Sequence, residues 1–422
     1  MRGSSTATKQ SNMILAALYF GWIVSYVDRT VINLSILQIG EDLSLDESKL
    51  GLILSAFFLG YALMQIPGGW LADRFGSRRV IVTAVALWSV FTALSGLAWS
   101  LTSLILIRFL FGIGEGGYPS ASTKAISDYF PEERRTKAQS TMMSSNAFGS
   151  ALAPILCAPL LVLLGWRSVF LIVSFLGIIF IVWFLLVTRK TANHTTAQNV
   201  HKPNKQEYSK LLQNSYLWKV LLVFFFLNIT SWGLSSWMPS YLMQELGINL
   251  ASVGLVSAIP VVFTTIGMIV SGRIIDKIGS KAKYGVITGI LIMGVSLFLM
   301  TLSSSIVQVI IYQCIAFTFM SFILSFIFTL PHRMMEPQVV GTAFGILNFG
   351  GQAAGIFSPT IMGALISASG GSYDSAFYFL IVCCLIAAVI ACLLPTANHN
   401  VNVKETPAVS YTHLTLPTMA VV

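Results

Sequence analysis

Charged residues are scarce in this chain. Only 10% of its 422 residues are Asp, Glu, Lys or Arg and 55% are hydrophobic, whereas a soluble domain carries about 25% charged residues. That shortage, with a mean hydropathy of +0.79, excludes an ordinary water-soluble fold and places the chain in the membrane class. Cysteine is also sparse. Cys157, Cys314, Cys383, Cys384 and Cys392 all lie in apolar runs without CxxC spacing, which argues against a metal or redox role and leaves them as small core hydrophobes. His194, His201, His332, His399 and His413 fall in loops or tails. No nucleophile motif, metal cluster or phosphate-binding loop is present, so neither an enzyme nor a cofactor is expected. The net charge of +9 does not indicate nucleic acid, because the basic residues come in short groups between apolar runs.

Those runs are long enough to cross a bilayer, which takes about 20 apolar residues. They fall at 13–37, 50–73, 80–99, 101–127, 137–163 and 167–188, then at 216–243, 251–275, 284–303, 306–330, 339–367 and 374–394. The first is too long for a signal-peptide core and lacks a small-residue cleavage site. The pattern predicts an all-α integral membrane protein with twelve transmembrane helices. The expected divisions are 1–188, a linker 189–215, 216–394, and a tail 395–422 expected to be disordered. The final "VSYTHLTLPTMAVV" is too short to span, has no counterpart elsewhere in the chain and reads as partly non-native. Arg74, Arg78, Arg79, Arg134, Arg135, Lys137, the linker lysines, Lys277, Lys281, Lys283 and Arg333 all fall on one side. Opposite them are only Lys49 and Arg167, beside the acidic Glu41, Asp42, Asp46 and Glu47. By the positive-inside rule both termini and the linker are cytoplasmic, and the chain is expected in the plasma membrane as a monomer in contact with lipid.

The two halves repeat. "GWLADRFGSRR" from Gly69 and "GRIIDKIGSKA" from Gly272 superpose on a shift of 203 residues, which also carries Gly51 onto Gly254. Duplicated halves point to two pseudo-symmetric six-helix bundles with a cavity between them near the bilayer midplane. The paired loops, comprising Gly69, Asp73, Arg74, Gly76 and Arg78 with Gly272, Asp276, Lys277, Gly279 and Lys281, resemble the signature loop of the major facilitator superfamily. Within that frame, "YVDR" in the first span and "RFLFGIGEGGYP" in the fourth resemble the anion:cation symporter family. That family includes proton symporters for hexuronates, galactonate and glucarate. The resemblance implies alternating access, a small organic anion as substrate and the proton as coupling ion.

Four charges lie deep in the spans: Asp28, Arg29, Arg108 and Glu115. Each costs roughly 2.5 to 3.5 kcal/mol on insertion scales, so they should face a cavity and one another. Arg108 and Glu115 share a face of span 4, about 10 Å apart along the axis, and Tyr26 shares a face of span 1 with Arg29. Arg29 is therefore expected to approach Glu115, and Asp28 to approach Arg108. The glycines around Glu115 permit close helix approach. Lys124 is expected to snorkel toward the cytoplasmic end of its span. The shift of 203 turns the four charges into Ser231, Trp232, Ile311 and Thr318, confining the charges to the first half. The second half offers Asn228, Trp232, Trp237, Thr329 and, foremost, Asn348 for a hydroxylated solute.

An arginine holds a carboxylate through paired hydrogen bonds. Burial favours the neutral form of a carboxyl and a neighbouring arginine favours the charged one. An anion that occupies Arg29 would leave Glu115 uncompensated and ready for a proton, and reciprocal linkage makes that symport. The family resemblance implies that Arg29 and Tyr61 bind substrate, that Asp28 and Glu115 are protonated and that Arg108 modulates the acids. Asn146 stands where some sugar-acid members carry glutamine. The repeated loops read as conformational latches, Asp73 and Asp276 meeting helix N-termini and the basic residues acting across the junction. A sugar-acid/proton symporter is the leading expectation. A proton-coupled exporter or antiporter, and a solute sensor that does not transport, are the alternatives.

Overall fold

The computed structural model describes residues 2–189, 205–278, 282–334 and 340–394. Thirteen helices account for nearly all of them, as expected where hydrocarbon leaves no solvent partner for backbone N–H and C=O groups. The first half comprises α1 (Arg2–Leu43), α2 (Glu47–Phe75), α3 (Ser77–Gly96), α4 (Leu101–Gly116), α5 (Tyr118–Tyr129) and α6 (Glu132–Thr188). After the short α7 (Lys205–Gln213), the second half follows as α8 (Ser215–Gln244), α9 (Leu250–Ile278), α10 (Ala282–Thr301), α11 (Ile306–Met334), α12 (Val340–Ala368) and α13 (Asp374–Cys392).

Eleven of these helical runs are long and apolar enough to cross a membrane, α4 and α5 counting as one. The 57-residue α6 would measure about 85 Å if straight, far beyond a bilayer. Gly165, at φ 71° and ψ 164°, breaks it into two crossings in a conformation that glycine adopts without steric cost. Twelve crossings result, six in each half. Large outward side chains such as Leu163, Leu186 and Val389 are exposed and apolar, as a lipid-facing surface requires.

Short-range signals set the helix ends. Asp46 caps α2 by accepting the backbone N–H of Lys49 at 2.9 Å, and Ser100 and Ser103 cap α4 reciprocally at 3.2 and 3.0 Å. The fourth crossing is not continuous. It ends as α4 at Gly116 and restarts as α5, with Pro119 in its first turn, so the interruption falls directly after Glu115. Tyr118 fixes the restart by donating from its hydroxyl to the Leu18 carbonyl at 3.0 Å and setting its ring edge-on to Trp22 and Trp88.

The halves meet through α2 with α12, α6 with α9 and α1 with α8. At the end remote from the arginine-rich loops the approach is close. A Cβ on Gly51 would lie 2.5 Å from the Pro359 carbonyl oxygen, and Thr360 donates to the Ser55 hydroxyl at 2.8 Å. Gly254 makes the equivalent approach to the Pro154 carbonyl. Toward the basic loops the halves separate around a vestibule of about 1560 Å³, lined by Gln65, Gly69, Asp73, Lys124, Trp218 and Asn348 among others. The molecule is thus sealed at one end and open at the other.

Candidate functional site

At the closed end of the vestibule, α1, α2 and α4 bring together the charges singled out in the sequence. Glycines make this possible. A Cβ on Gly116 would fall 2.7 Å from the Tyr61 carbonyl, and one on Gly112 would collide with that of Phe57, so α4 lies on α2 at backbone distance. Glu115 is thereby held inside the first half at 1% exposure, facing α1. Arg29 is 11% exposed and places Nε and Nη2 each 2.8 Å from Glu115 Oε1. Ser25, one turn before Arg29, donates to the same oxygen. Oε2 of Glu115 is buried with no partner among the described residues.

Aromatic rings enclose the guanidinium of Arg29. Its central carbon lies 4.7 Å from the Tyr61 ring centre, 5.0 Å from Phe57 and 5.5 Å from Tyr26, within range of the attraction between a cation and a ring face. Tyr26 and Arg29 also line a smaller cavity of about 180 Å³, on the far side of this layer from the vestibule, with Trp232 of α8. Trp232 packs on Phe58 with ring centres 4.7 Å apart, joining the two halves beside Arg29.

The expected approach of Asp28 to Arg108 stops short of an ion pair among the described residues, although each lies within reach of the other's charge. Asp28, 1% exposed, instead accepts a hydrogen bond from Thr92 of α3 at 2.9 Å. Arg108 is equally buried, stacks over Phe111 at 4.4 Å and leaves Nε and Nη1 without a partner among the described residues. The reason is rotational. Asp28 and Arg29 diverge by about 100° on their helix, so the turn that delivers Arg29 to Glu115 points Asp28 at α3. Arg29 and Arg108 nevertheless share the lining of a further void of about 40 Å³.

The remaining predicted residues are more dispersed. Asn348 is exposed in the vestibule and donates to Gln65 Oε1 at 3.5 Å, a contact between halves. Asn146 has a buried Oδ1 without a partner among the described residues, near where Gly149 of the same helix packs on Tyr26. Asn228 bonds within its own helix, to the Phe224 carbonyl at 2.8 Å, and Trp237 donates to the Pro359 carbonyl at 3.1 Å, so both are committed to packing.

Around the first repeated loop, Asp73 lies 3.6 Å from Lys124, which is also 3.6 Å from Asp128. Ser77 donates to Asp128 at 2.6 Å. Lys124 is therefore held by acids rather than released to the membrane surface. Arg74 stacks on Trp70 and Phe75, and Arg78 donates to Thr188 at 2.9 Å. These contacts stay inside the first half. Gly69 faces Ser120, and Gly76 makes the α2–α3 turn at φ 84°. In the second loop Gly272, Asp276 and Lys277 lie on α9, while Gly279 and Lys281, together with the side chains of Asp276, Lys277 and Thr329, are outside the described residues.

Two polar partners were not anticipated from the sequence. Ser25 had a usable signal, being four residues before Arg29 and so on its face. Thr92 had none, since α3 packs on α6 and α4 and only the Thr92 side chain reaching Asp28 of α1 reveals it.

Comparison with known proteins agrees with this architecture. The model of the Major Facilitator Superfamily matches residues 18–359 and, overlapping, 241–417. A protein described as the probable sulfoacetate transporter SauU of Cupriavidus necator is 32% identical over 87% of this chain and 90% of its own length. The probable L-galactonate transporter of Escherichia coli K12 is 28% identical over 88% of this chain and 86% of its own. Among solved structures, a bacterial homologue of the human lysosomal transporter Spinster, inward-facing and unoccupied, superposes with a TM-score of 0.78 at 21% identity. That superposition covers 91% of this chain and 97% of that one, and at such identity it speaks for the fold alone. The two repeated halves, the sealed and open ends and the family match converge: the chain belongs to the major facilitator superfamily of membrane transporters.

Proposed function

We propose that the protein carries an organic anion, a sugar acid such as an aldonate, hexuronate or aldarate, together with protons by alternating access. In this reading the arginine-rich face is cytoplasmic, the vestibule opens inward, and the protein works as a monomer in the plasma membrane. The observation that carries the proposal is the Arg29–Glu115 pair: a cation and an acid neutralise each other in the layer of side chains between the vestibule and the sealed end. The kinship with transporters named for sulfoacetate and L-galactonate supports an anionic substrate.

The coupling follows from charge balance. An anion arriving at Arg29 competes with Glu115 for the same N–H groups. Once displaced, Glu115 is a buried carboxylate without a cation, which is costly unless it takes a proton. The carrier bearing both anion and proton is neutral at this pair, as is the empty carrier with its ion pair intact. Those two forms can therefore change conformation without an unpaired buried charge, whereas a carrier holding only one of the two cannot. Asp28, bonded to Thr92, is a second acid suited to proton binding. Arg108, with its free donors, sets the field felt by both acids. Tyr26, Tyr61, Asn146 and Asn348 supply the remaining substrate contacts, and the repeated loops act as latches at the open end.

The test is transport by purified protein in liposomes. Labelled L-galactonate, glucuronate, sulfoacetate and succinate are presented with and without an inwardly directed proton gradient. Accumulation of at least one anion above equilibrium, abolished when the gradient is collapsed, is expected. Absence of uptake or exchange of every anion would overturn the proposal.

A further inference from the structure

The cavity of about 180 Å³ beyond Arg29 is polar at an end that nothing above uses. Gln313 of α11 lines it at 5% exposure, and its Oε1 is buried without a partner among the described residues. Ser257 of α9 lines it too, and its hydroxyl likewise has no partner among the described residues. An unsatisfied buried polar group is costly, so two residues of one cavity wall that each carry an orphaned polar atom need an explanation. The first half supplies Tyr26, Arg29, Thr30, Asn33 and Pro154 to the same wall. Asn33 is already committed, donating to the Ser235 carbonyl at 3.1 Å.

We infer that Gln313 and Ser257 form the neutral end of the substrate site and recognise the hydroxyl groups of an anion whose carboxylate is held by Arg29. The inference rests on the proposed anion transport and specifies which part of the anion is read by the second half. The chemistry is complementary. Gln313 Oε1 accepts, and a hydroxyl donates; Ser257 can do either. Arg29 on α1 contributes the charge, while α9 and α11 contribute only neutral groups, so an anion with a second acidic group at its far end has no cation waiting there. A polyhydroxylated monoacid fits both ends.

Position adds an argument about order. Pro154, whose carbonyl meets Gly254 in the seal, is also part of this cavity wall. Parting α6 from α9 opens the compartment to the other side of the membrane. Gln313 and Ser257 then stand at the mouth, ahead of Arg29, and select for hydroxyl groups before the charge is engaged.

The experiment compares wild type, Gln313→Met and Ser257→Ala in liposomes under an inward proton gradient. L-galactonate serves as the hydroxylated monoanion and hexanoate as the monoanion of equal carbon count without hydroxyls. Thermal stabilisation by each anion is measured in parallel and reads binding where turnover is absent. Wild type is expected to favour L-galactonate, and each variant to lose about five- to tenfold in kcat/KM for it, the worth of one hydrogen bond. For hexanoate, uptake or stabilisation in the variants should stay within about twofold of wild type. Equal losses for both anions, no loss for either, or a wild type that prefers hexanoate would overturn the inference while leaving anion transport standing. Transport of no anion, glucuronate and succinate included, would overturn both. Should Gln313→Met fail to fold, the neutral Gln313→Leu removes the same acceptor without adding charge, and Ser257→Ala stands independently.

Discussion

Arg29 holds Glu115 by one carboxylate oxygen. Nε and Nη2 of the arginine converge on Oε1, where Ser25 also donates, and Oε2 is left bare. The unused oxygen is where a proton can bind without first breaking the ion pair, which makes the following substitution informative.

Glu115→Gln places a carbonyl oxygen at the Oε1 position and an amide at Oε2, mimicking the protonated acid. Anion exchange between the two sides of a liposome is expected to persist within a few-fold of wild type, while accumulation driven by a proton gradient is lost. Counterflow and gradient-driven uptake, measured on the same preparation, separate the two. Wild-type accumulation in the variant would remove Glu115 from coupling.

Arg29→Lys keeps the charge and discards the fork. An ammonium cannot pair an Nε–H bond to Oε1 with a second nitrogen 2.8 Å from the same oxygen, nor lie flat among Tyr61, Phe57 and Tyr26. The loss of a charge-assisted hydrogen bond, worth roughly 1.5 to 3 kcal/mol, corresponds to a rise in KM on the order of 10- to 100-fold. Initial-rate uptake across a range of substrate concentrations tests it. An unchanged KM would place the anion elsewhere.

Gly51→Ala and Gly254→Ala each drive a methyl group into a proline carbonyl of the opposite half. Backbone cannot yield as a flexible side chain would, so the seal should open. Spin labels at Glu41 and Ser369, both exposed on the sealed face, should report a longer mean distance in either variant and the longest in the double variant. An unaltered distance distribution would mean that the seal relaxes locally.

Asp46 provides a pH dependence with a definite sign. The Lys49 side chain first, then its backbone N–H, holds the Asp46 carboxyl below the usual carboxylate value. A depressed value in the folded state means that the cap stabilises above the unfolded value, about 3.9, and is lost as pH falls through the folded one. Asp46→Ala should cost about 1 kcal/mol at neutral pH, less to the extent that solvent screens this exposed pair. The difference in Tm between variant and wild type should narrow below about pH 4.

Much of the architecture was legible because a bilayer forbids alternatives. Apolar runs of span length must be helices, and Gly165 falls in the gap between two runs that the sequence already separates. The pairing of Arg29 with Glu115 was legible for a related reason, since so few buried charges leave few combinations. The partner of Asp28 was not, because a hydroxyl such as Thr92 can satisfy a carboxyl as well as an arginine can, and threonines are common in spans. Gln313 and Ser257 were passed over because a lone polar residue in an apolar helix looks the same whether it packs or binds. The interruption after Glu115, where the helix ends at Gly116 and restarts at Tyr118, does not show in the apolar run 101–127, which reads as one continuous span. The shift that superposes Gly51 on Gly254 was visible from the first, but not what each glycine touches.

Those two glycines bear on how the driving force is used. The contacts described between the halves at the sealed end are backbone carbonyls against glycine and a hydroxyl against a hydroxyl. None of these groups ionises between the pH of one compartment and the other, and none is screened by salt. A closure of that kind holds with equal strength at any acidity the membrane faces. In the proton-coupled cycle proposed above, a proton gradient would act at the midplane acids rather than on these contacts, and the seal they form would be indifferent to it.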